Sequence, residues 1–179
     1  NMALDLIGQA RGVLTLAGLL PRADLLGPTL VRLPDHATAR RQVALTIDDG
    51  PDPEVTPLVL DLLEAAGARA TFFCIGRRVR AHPLLCRDIV RRGHAVENHG
   101  DAHSPAFALW GPQRIRADLC AAQDAIVQAT GQTPRFFRAT AGLRNPFLEP
   151  VLAQRDLQLA AWSRRAYDTR QGDPAVVLD

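Results

Sequence analysis

The stretch ALTIDDGPDPEVTP, residues 44–57, joins the end of an apolar run to two adjacent acids and a tight turn. Residues 43–47 (VALTI) are apolar and rich in β-branched side chains, which predicts a buried strand. Asp48 and Asp49 follow at its carboxyl end, directly before Gly50-Pro51. Two neighbouring carboxylates repel each other unless a cation or hydrogen-bond donors offset their charge. The stretch therefore predicts a strand, a turn and a polar site at that turn.

A helix is predicted directly after the turn, over residues 53–68, with its end at Gly67. Asp49 or Asp52 could serve as its N-cap, since a single Asp between a strand and a helix usually does so. That function accounts for one acid and leaves the adjacent pair unexplained. We expect one apolar face on this helix, formed by Val55, Leu58, Val59, Leu62 and Leu63.

Short apolar runs alternate with helical patterns along the rest of the chain. This alternation predicts an α/β fold with a parallel sheet covered by helices, either an open sheet or a barrel. The further predicted strands are residues 70–76, 94–98, 135–139 and 157–162, and the further predicted helices are residues 82–93, 112–130 and 145–154.

Polar side chains follow four of the predicted strands. In parallel α/β folds the chemistry lies at the carboxyl ends of the strands, so we expect these side chains to converge. They are Asp48 and Asp49 after the first strand, His99 and His103 after the third, Arg138 at the end of the fourth, and Asp168 after the fifth.

The segment NHGDAHS, residues 98–104, contains two histidines four positions apart. On a helical turn such a pair shares one face, and both imidazoles can meet one ion. By itself the pair is equally compatible with two surface histidines beside a polar turn. One Asp added to two His gives three protein ligands with open coordination positions, as in a catalytic metal site. The second Asp is then free to act on water.

Composition restricts the alternatives. With 179 residues, 47% of them hydrophobic, the chain is long enough for one well-buried domain. Its basic residues are all arginine, which excludes lysine chemistry, and they are scattered among 19 acids, so no nucleic-acid surface is expected. Three cysteines without a CxxC pair indicate buried thiols or a reducing compartment.

The N-terminal part is set apart from this pattern. We expect residues 1–40 to form an arm or covering helix and residues 41–179 to form the domain. Residues 12–21 are apolar for too short a run to span a bilayer, and they lack a clear signal-peptide cleavage site. A cytoplasmic or membrane-associated location is expected, and peripheral membrane contact through the arm is left open.

The motifs TIDDGP, HGDAH and FFRATAGLRNP together resemble those of the polysaccharide deacetylases, carbohydrate esterase family four with the NodB-homology domain. The resemblance covers roughly residues 43–170. It implies a distorted (β/α) barrel and metal-dependent hydrolysis of N-acetyl, or sometimes O-acetyl or formyl, groups on a glycan or polysaccharide.

The resemblance also assigns roles. It implies that Asp49, His99 and His103 bind a divalent metal, with zinc expected. It further implies that Asp48 is the general base and that Arg138 pairs with Asp48 and orients it. Asp168 matches the acid that helps to tether this arginine.

Several positions depart from the family pattern. Gly100 stands where a Ser or Thr hydroxyl would brace the histidine loop, Thr140 replaces a proline, and Arg165 replaces the first acid of a late motif. No histidine follows His103, so the family's general-acid histidine is not in this sequence. We therefore expect a barrel that is incomplete at its C-terminus, either in a fragment or in a degenerate protein.

These departures leave alternatives to a deacetylase. The chain could be a catalytically impaired relative that binds glycan or metal, or a hydrolase of formyl or non-sugar amides. The candidates for stacking on sugar rings are Phe107, Trp110, Phe147 and Trp162, of which we expect Phe147 and Trp162 to belong to the core.

Overall fold

Five parallel strands pair in the order in which they occur along the chain. The computed structural model describes residues 27–40 and 42–165. A doubly wound sheet reverses its strand order, whereas a (β/α) barrel adds each strand beside the preceding one. The strand order therefore agrees with the distorted barrel predicted as the fold class. The strands are β1 (Leu45–Gly50), β2 (Ala70–Cys74), β3 (Ala95–Asn98), β4 (Phe136–Phe137) and β5 (Gln158–Leu159).

One helix precedes β1, and the other helices occupy the connections between these strands. They are α1 (Asp35–Ala39), α2 (Val55–Ala65), α3 (Gly76–Ala81), α4 (Pro83–Arg91), α5 (Pro112–Thr130) and α6 (Leu148–Ala153), with short 3-10 turns at Phe107–Leu109 and Thr140–Gly142. The predicted helices agree with α2, α4, α5 and α6. Helix α3 was not predicted, because its sequence GRRVRA contains a single large apolar residue, Val79.

A β-bulge interrupts β1 at the acid pair. Ile47 lies opposite Phe72 and Gly50 lies opposite Cys74, so Asp48 and Asp49 together face the single residue Phe73. A bulge of this kind bends the strand and re-aims its side chains. The two acids therefore lie at the carboxyl edge of the sheet, where their side chains reach different partners.

The core consists of two hydrophobic clusters. One joins β2, β3 and the helices α2 to α5, and includes Leu60, Phe72 and Ile126. The other packs β4 and β5 against α6 and the Phe107 turn. Together they hold the carboxyl ends of the first four strands in fixed positions.

The apolar face predicted for α2 is wrong in part. Leu60 and Leu63 are buried, whereas Val55, Leu58 and Leu62 are more than half exposed. The sequence VTPLVLDLL is apolar around most of the helix circumference, so its periodicity does not determine which side faces the sheet.

Part of the predicted N-terminal arm packs against the sheet. The amide of Leu30 donates to Leu159 O at 2.8 Å, and the amide of Ala161 donates to Leu30 O at 2.9 Å. Arg144, which is buried, donates to Gly27 O at 2.9 Å. Leu30 thus forms a parallel bridge with Ala160 beside β5, while the domain boundary at residue 40 stays a prediction.

The remaining predictions concern thiols, membranes and chain ends. Cys74 and Cys86 are buried, Cys120 is partly buried, and all three are free. Within residues 27–40 and 42–165, no helix has the length and apolarity needed to cross a bilayer. The apolar run at residues 12–21, the acid Asp168 and the expected incompleteness at the C-terminus lie outside the described residues.

Candidate functional site

Asp49, His99 and His103 converge at the carboxyl edge of the sheet. The Nε2 atoms of His99 and His103 lie 3.2 Å and 2.9 Å from Asp49 Oδ1. Within the described residues, one potential ligand atom from each of the three side chains lies within 4.8 Å of the others, a spacing compatible with a shared metal ion. The structure thus places the three predicted ligands side by side.

The protonation of His99 can be derived from its other ring nitrogen. Nδ1 lies 2.7 Å from the backbone carbonyl of Arg138, which can only accept, so Nδ1 carries the proton. In the neutral ring, Nε2 then presents a lone pair to Asp49 Oδ1, which is itself an acceptor. Two acceptors this close call for a cation or an added proton between them.

The donor set fits a divalent metal ion. Asp49 Oδ1 is buried without a hydrogen bond to any donor of fixed protonation, and two imidazole nitrogens face it. The two histidines, His103 more strongly than His99, hold the pKa of Asp49 well below its ordinary value. An ionised carboxylate with two imidazoles is a set that zinc accepts, with coordination positions left open for water and substrate. The assignment of these residues as ligands stays a prediction.

The backbone around Asp49 explains how the carboxylate reaches the histidines. Asp49 has a φ of 66°, a left-handed conformation that Asp tolerates better than most residues. Arg78 Nη1, from α3, donates to the carbonyl of Asp49 at 2.6 Å. The bulge and this hydrogen bond together hold the residue in its unusual conformation.

The N-cap function falls to Asp52. Its Oδ1 atom accepts the amides of Glu54 and Val55, both at 3.0 Å. Hydrogen bonds from Val55 first and Glu54 second lower the pKa of Asp52. Asp48 and Asp49 are therefore both free of the helix terminus.

Asp48 pairs with Arg138. Arg138 Nη1 donates to Asp48 Oδ1 at 2.7 Å and to Thr46 Oγ1 at 2.8 Å. The guanidinium lies over the rings of Phe73, at 4.0 Å, and Trp162, at 4.8 Å. Burial lowers the pKa of Arg138, and the charge of Asp48 opposes that effect. The guanidinium thus contacts two aromatic rings and pairs with Asp48, whereas the two histidines pair with Asp49.

The histidine pair lies in a loop and not on a helical turn. His103 has a φ of 47° and Gly100 a φ of 75°, neither of which is helical. The loop is held by Asn98, whose Oδ1 accepts the amide of Gly100 at 2.8 Å, and by the carbonyl of Gly100, which accepts the amide of Gly76 at 2.9 Å. Loop curvature, not helical spacing, brings the two imidazoles together.

Which of the aromatic candidates for sugar contact are buried and which are exposed differs from the prediction. Phe107 and Trp110 are buried in the core, whereas the side chain of Phe147 is 48% exposed. Trp162 is partly exposed, and the guanidinium carbons of Arg138 and Arg165 lie over its ring at 4.8 and 4.3 Å from the centroid. The expectation that Phe147 belongs to the core is therefore wrong, because the turn before α6 places it outside.

Sequence reasoning missed two groups of supporting residues. Arg78 and Asn98 hold the backbone of the site through the hydrogen bonds given above, and Asp118 of α5 contacts the histidine loop. No sequence signal marks Arg78 in a chain with 21 basic residues. Asn98 precedes the first histidine, and its position at the end of a strand was the one available clue.

Known proteins share this arrangement of elements. The polysaccharide deacetylase family model matches residues 35–160. A peptidoglycan-N-acetylglucosamine deacetylase, PgdA of Listeria monocytogenes, is 31% identical over 84% of this chain and 32% of its own length. A chitooligosaccharide deacetylase of Bradyrhizobium is 39% identical over 69% of this chain and 56% of its own length.

A solved structure supports the same conclusion. A family 4 carbohydrate esterase from Streptomyces lividans, in complex with acetate, superposes with a TM-score of 0.72 at 32% identity. The match covers 76% of this chain and 70% of that one. The chain spans from about a third to somewhat more than half the length of the two curated relatives. With a family model matched over most of its length, the chain belongs to the polysaccharide deacetylase family, carbohydrate esterase family four with NodB homology.

Proposed function

We propose that this protein is a metal-dependent hydrolase that removes N-acetyl, or O-acetyl, groups from a carbohydrate. The observation that carries the proposal is the buried Asp49 Oδ1, which two histidine nitrogens face at 2.9 and 3.2 Å without a fixed donor between them. Family membership supports the same reaction, because the relatives are named for deacetylation of N-acetylglucosamine or chitooligosaccharides.

The proposed role of each site residue follows from its contacts. Asp49, His99 and His103 would hold the ion, expected to be zinc. A bound divalent ion polarises a carbonyl group and acidifies water. Asp48, fixed by Arg138 at 2.7 Å, would accept the proton of the attacking water. Asp168 is proposed to tether Arg138, in keeping with the resemblance.

The substrate class is proposed from the relatives. Peptidoglycan and chitooligosaccharides share N-acetylglucosamine units, so we propose an N-acetylated glycan as substrate and no nucleic acid. The exposed ring of Phe147 offers an apolar face for a sugar. A cytoplasmic or membrane-associated location, with residues 1–40 as a peripheral arm, also stays a proposal.

Metal content and acetate release test the function together. The purified protein is expected to contain or take up one equivalent of zinc and to release acetate from chitooligosaccharides or peptidoglycan fragments. Chelation should abolish the release, and added zinc should restore it. Acetate release that persists in excess chelator would refute the metal-dependent mechanism.

A second candidate function is a relative that binds glycan or metal without turnover. The observation that favours it is Arg165, which stands where the family has an acid and stacks on the same Trp162 ring as Arg138. Zinc and glycan binding with no acetate release would identify this case. The third alternative is a hydrolase of formyl groups or non-sugar amides. Assays with formylated sugars and non-sugar amides would distinguish it from a deacetylase.

A further inference from the structure

Asp118 contacts the loop that carries both histidines. It lies on α5, and its Oδ2 and Oδ1 atoms accept the amides of Asp101 and Ala102 at 2.9 and 2.8 Å. Both carboxylate oxygens are thus used on two consecutive amides. These amides lie in the middle of the segment between His99 and His103, so the contact determines how far apart the two ligands are held.

The missing side chain of Gly100 leaves the space that the Asp118 carboxylate occupies. Its φ is 75°, and a Cβ at this position would lie 2.6 Å from Asp118 Oδ2. Side-chain atoms essentially never approach so closely, so any larger residue at position 100 would displace the carboxylate. Gly100 and Asp118 therefore form a complementary pair: the carboxylate fills the space that a loop side chain would take.

The two histidines depend on Asp118 to different degrees. His99 is held independently, because its amide donates to Cys74 O at 3.0 Å and its Nδ1 donates to Arg138 O at 2.7 Å. His103 follows Ala102 directly, and its ring contacts are with Asp49 and His99. The amide of Ala102, bonded to Asp118, holds the backbone directly before His103, whereas Asp101 is also held by Arg80, whose Nη2 donates to Asp101 Oδ2 at 2.9 Å, and the side chain of Ala102 packs against the second hydrophobic cluster.

We propose that Asp118 is a positioning residue that sets the place of His103 in the metal site, and that Gly100 is present because Asp118 supplies this brace. The proposal rests on the proposed function, since it assumes that the two histidines bind a metal. It also explains how a loop without a Ser or Thr at position 100 keeps both imidazoles at one carboxylate oxygen.

The test compares Asp118→Asn with Asp124→Asn, an identical change at an exposed position of the same helix. Asn keeps the shape but turns an amide NH₂ toward one of the two backbone N–H groups, so one hydrogen bond is lost. Asp118→Asn is expected to weaken zinc affinity by about 10-fold, the lower end of what supporting residues contribute to metal sites. Asp124→Asn should leave it unchanged. Zinc affinity is measured by competition with a chromophoric chelator.

Two further readouts separate positioning from general stability. The absorption bands of the cobalt-loaded protein should shift in Asp118→Asn, because they report ligand geometry. In a double-mutant cycle, His103→Ala should cost less zinc affinity in the Asp118→Asn background than in the wild type. Additive losses with an unshifted spectrum would overturn the proposal.

The outcomes distinguish this inference from the proposed function. A wild-type protein that binds no zinc would refute the metal site itself. A wild type that binds zinc and an equally tight Asp118→Asn variant would refute only the role of Asp118. Should Asp118→Asn fail to fold, Gly100→Ala probes the same contact from the loop side: a folded variant with unchanged zinc affinity would overturn the pairing.

Discussion

The imidazole of His99 and the backbone carbonyl of Arg138 meet at 2.7 Å, so Arg138 serves both halves of the site. Its guanidinium fixes Asp48, and its carbonyl fixes the ring of His99. The side chain can be changed by mutation while the carbonyl stays. This separation makes the two functions of the residue testable one at a time.

Substitution of Arg138 should impair turnover without preventing metal binding. Arg138→Lys keeps the charge but loses the planar guanidinium that contacts the rings of Phe73 and Trp162. We expect acetate release to fall at least about 10-fold, an effect on the order of 1.4 kcal/mol, while zinc affinity stays within error. Arg135→Lys, at an exposed site three residues earlier, is the control. A parallel loss of zinc would show that the side chain also supports His99.

Removal of the Arg138 charge should destabilise the fold. Arg138→Met leaves Asp48 and Thr46 without their shared donor, and because Asp48 is 22% exposed we expect a cost on the order of 2 kcal/mol, below that of a fully buried pair. Urea unfolding of the metal-free protein measures this cost. In the Asp48→Asn background the same change should cost much less, because no charge is then left unpaired.

The two adjacent acids should respond differently to mutation. Asp49→Ala is expected to abolish zinc binding, because its Oδ1 is the atom that both histidines face. Asp48→Asn should retain zinc and lower acetate release by about 10²- to 10⁴-fold, the usual contribution of a general base. Zinc content and turnover are measured on the same preparations. Equal loss of zinc in both variants would contradict separate roles.

Glu97 should make the fold less stable as the pH rises. Burial raises its pKa, although the amides of Arg135 and Phe136 donate to Oε2 at 2.7 and 2.8 Å. A carboxyl group with a raised folded-state pKa binds more protons when folded than when unfolded. Stability is then highest below the ordinary pKa of about 4.5 and falls until the pH passes the folded-state pKa.

Glu97→Gln tests this pH dependence, since an amide oxygen can still accept both hydrogen bonds. Thermal unfolding in chelator from pH 4 to pH 8 should show the variant gaining stability over the wild type as the pH rises. Glu54→Gln, at an exposed position, should follow the wild type throughout. If the variant instead lost stability relative to the wild type as the pH rose, the ionised Glu97 carboxylate would stabilise the fold and the prediction would be wrong.

The two sides of α2 should differ sharply in their contribution to stability. Leu60 is 0% exposed and Leu62 is 70% exposed, although they are two residues apart in an apolar run. Leu60→Ala should cost about 2–5 kcal/mol through lost contacts and a cavity, whereas Leu62→Ala should stay within about 0.5 kcal/mol. Urea unfolding of the two variants gives both values. A large cost for Leu62→Ala would mean that its exposed face is covered in solution.

The sequence by itself determined the strand-and-helix alternation and the residues of the site. Apolar runs of strand length, each followed by a polar residue and a helical pattern, sufficed to place Asp48, Asp49, His99, His103 and Arg138 at one edge of a parallel sheet. That inference works because parallel strands share a direction, so their carboxyl ends must meet.

Only the tertiary structure decided how these residues face one another. The bulge at Asp48 and Asp49, the left-handed φ of His103 and the pairing of Gly100 with Asp118 each depend on contacts between distant segments. Local propensity carries no information about such contacts. The same reason explains the misplaced apolar face of α2, because a helix that is apolar on most sides is oriented by what packs against it.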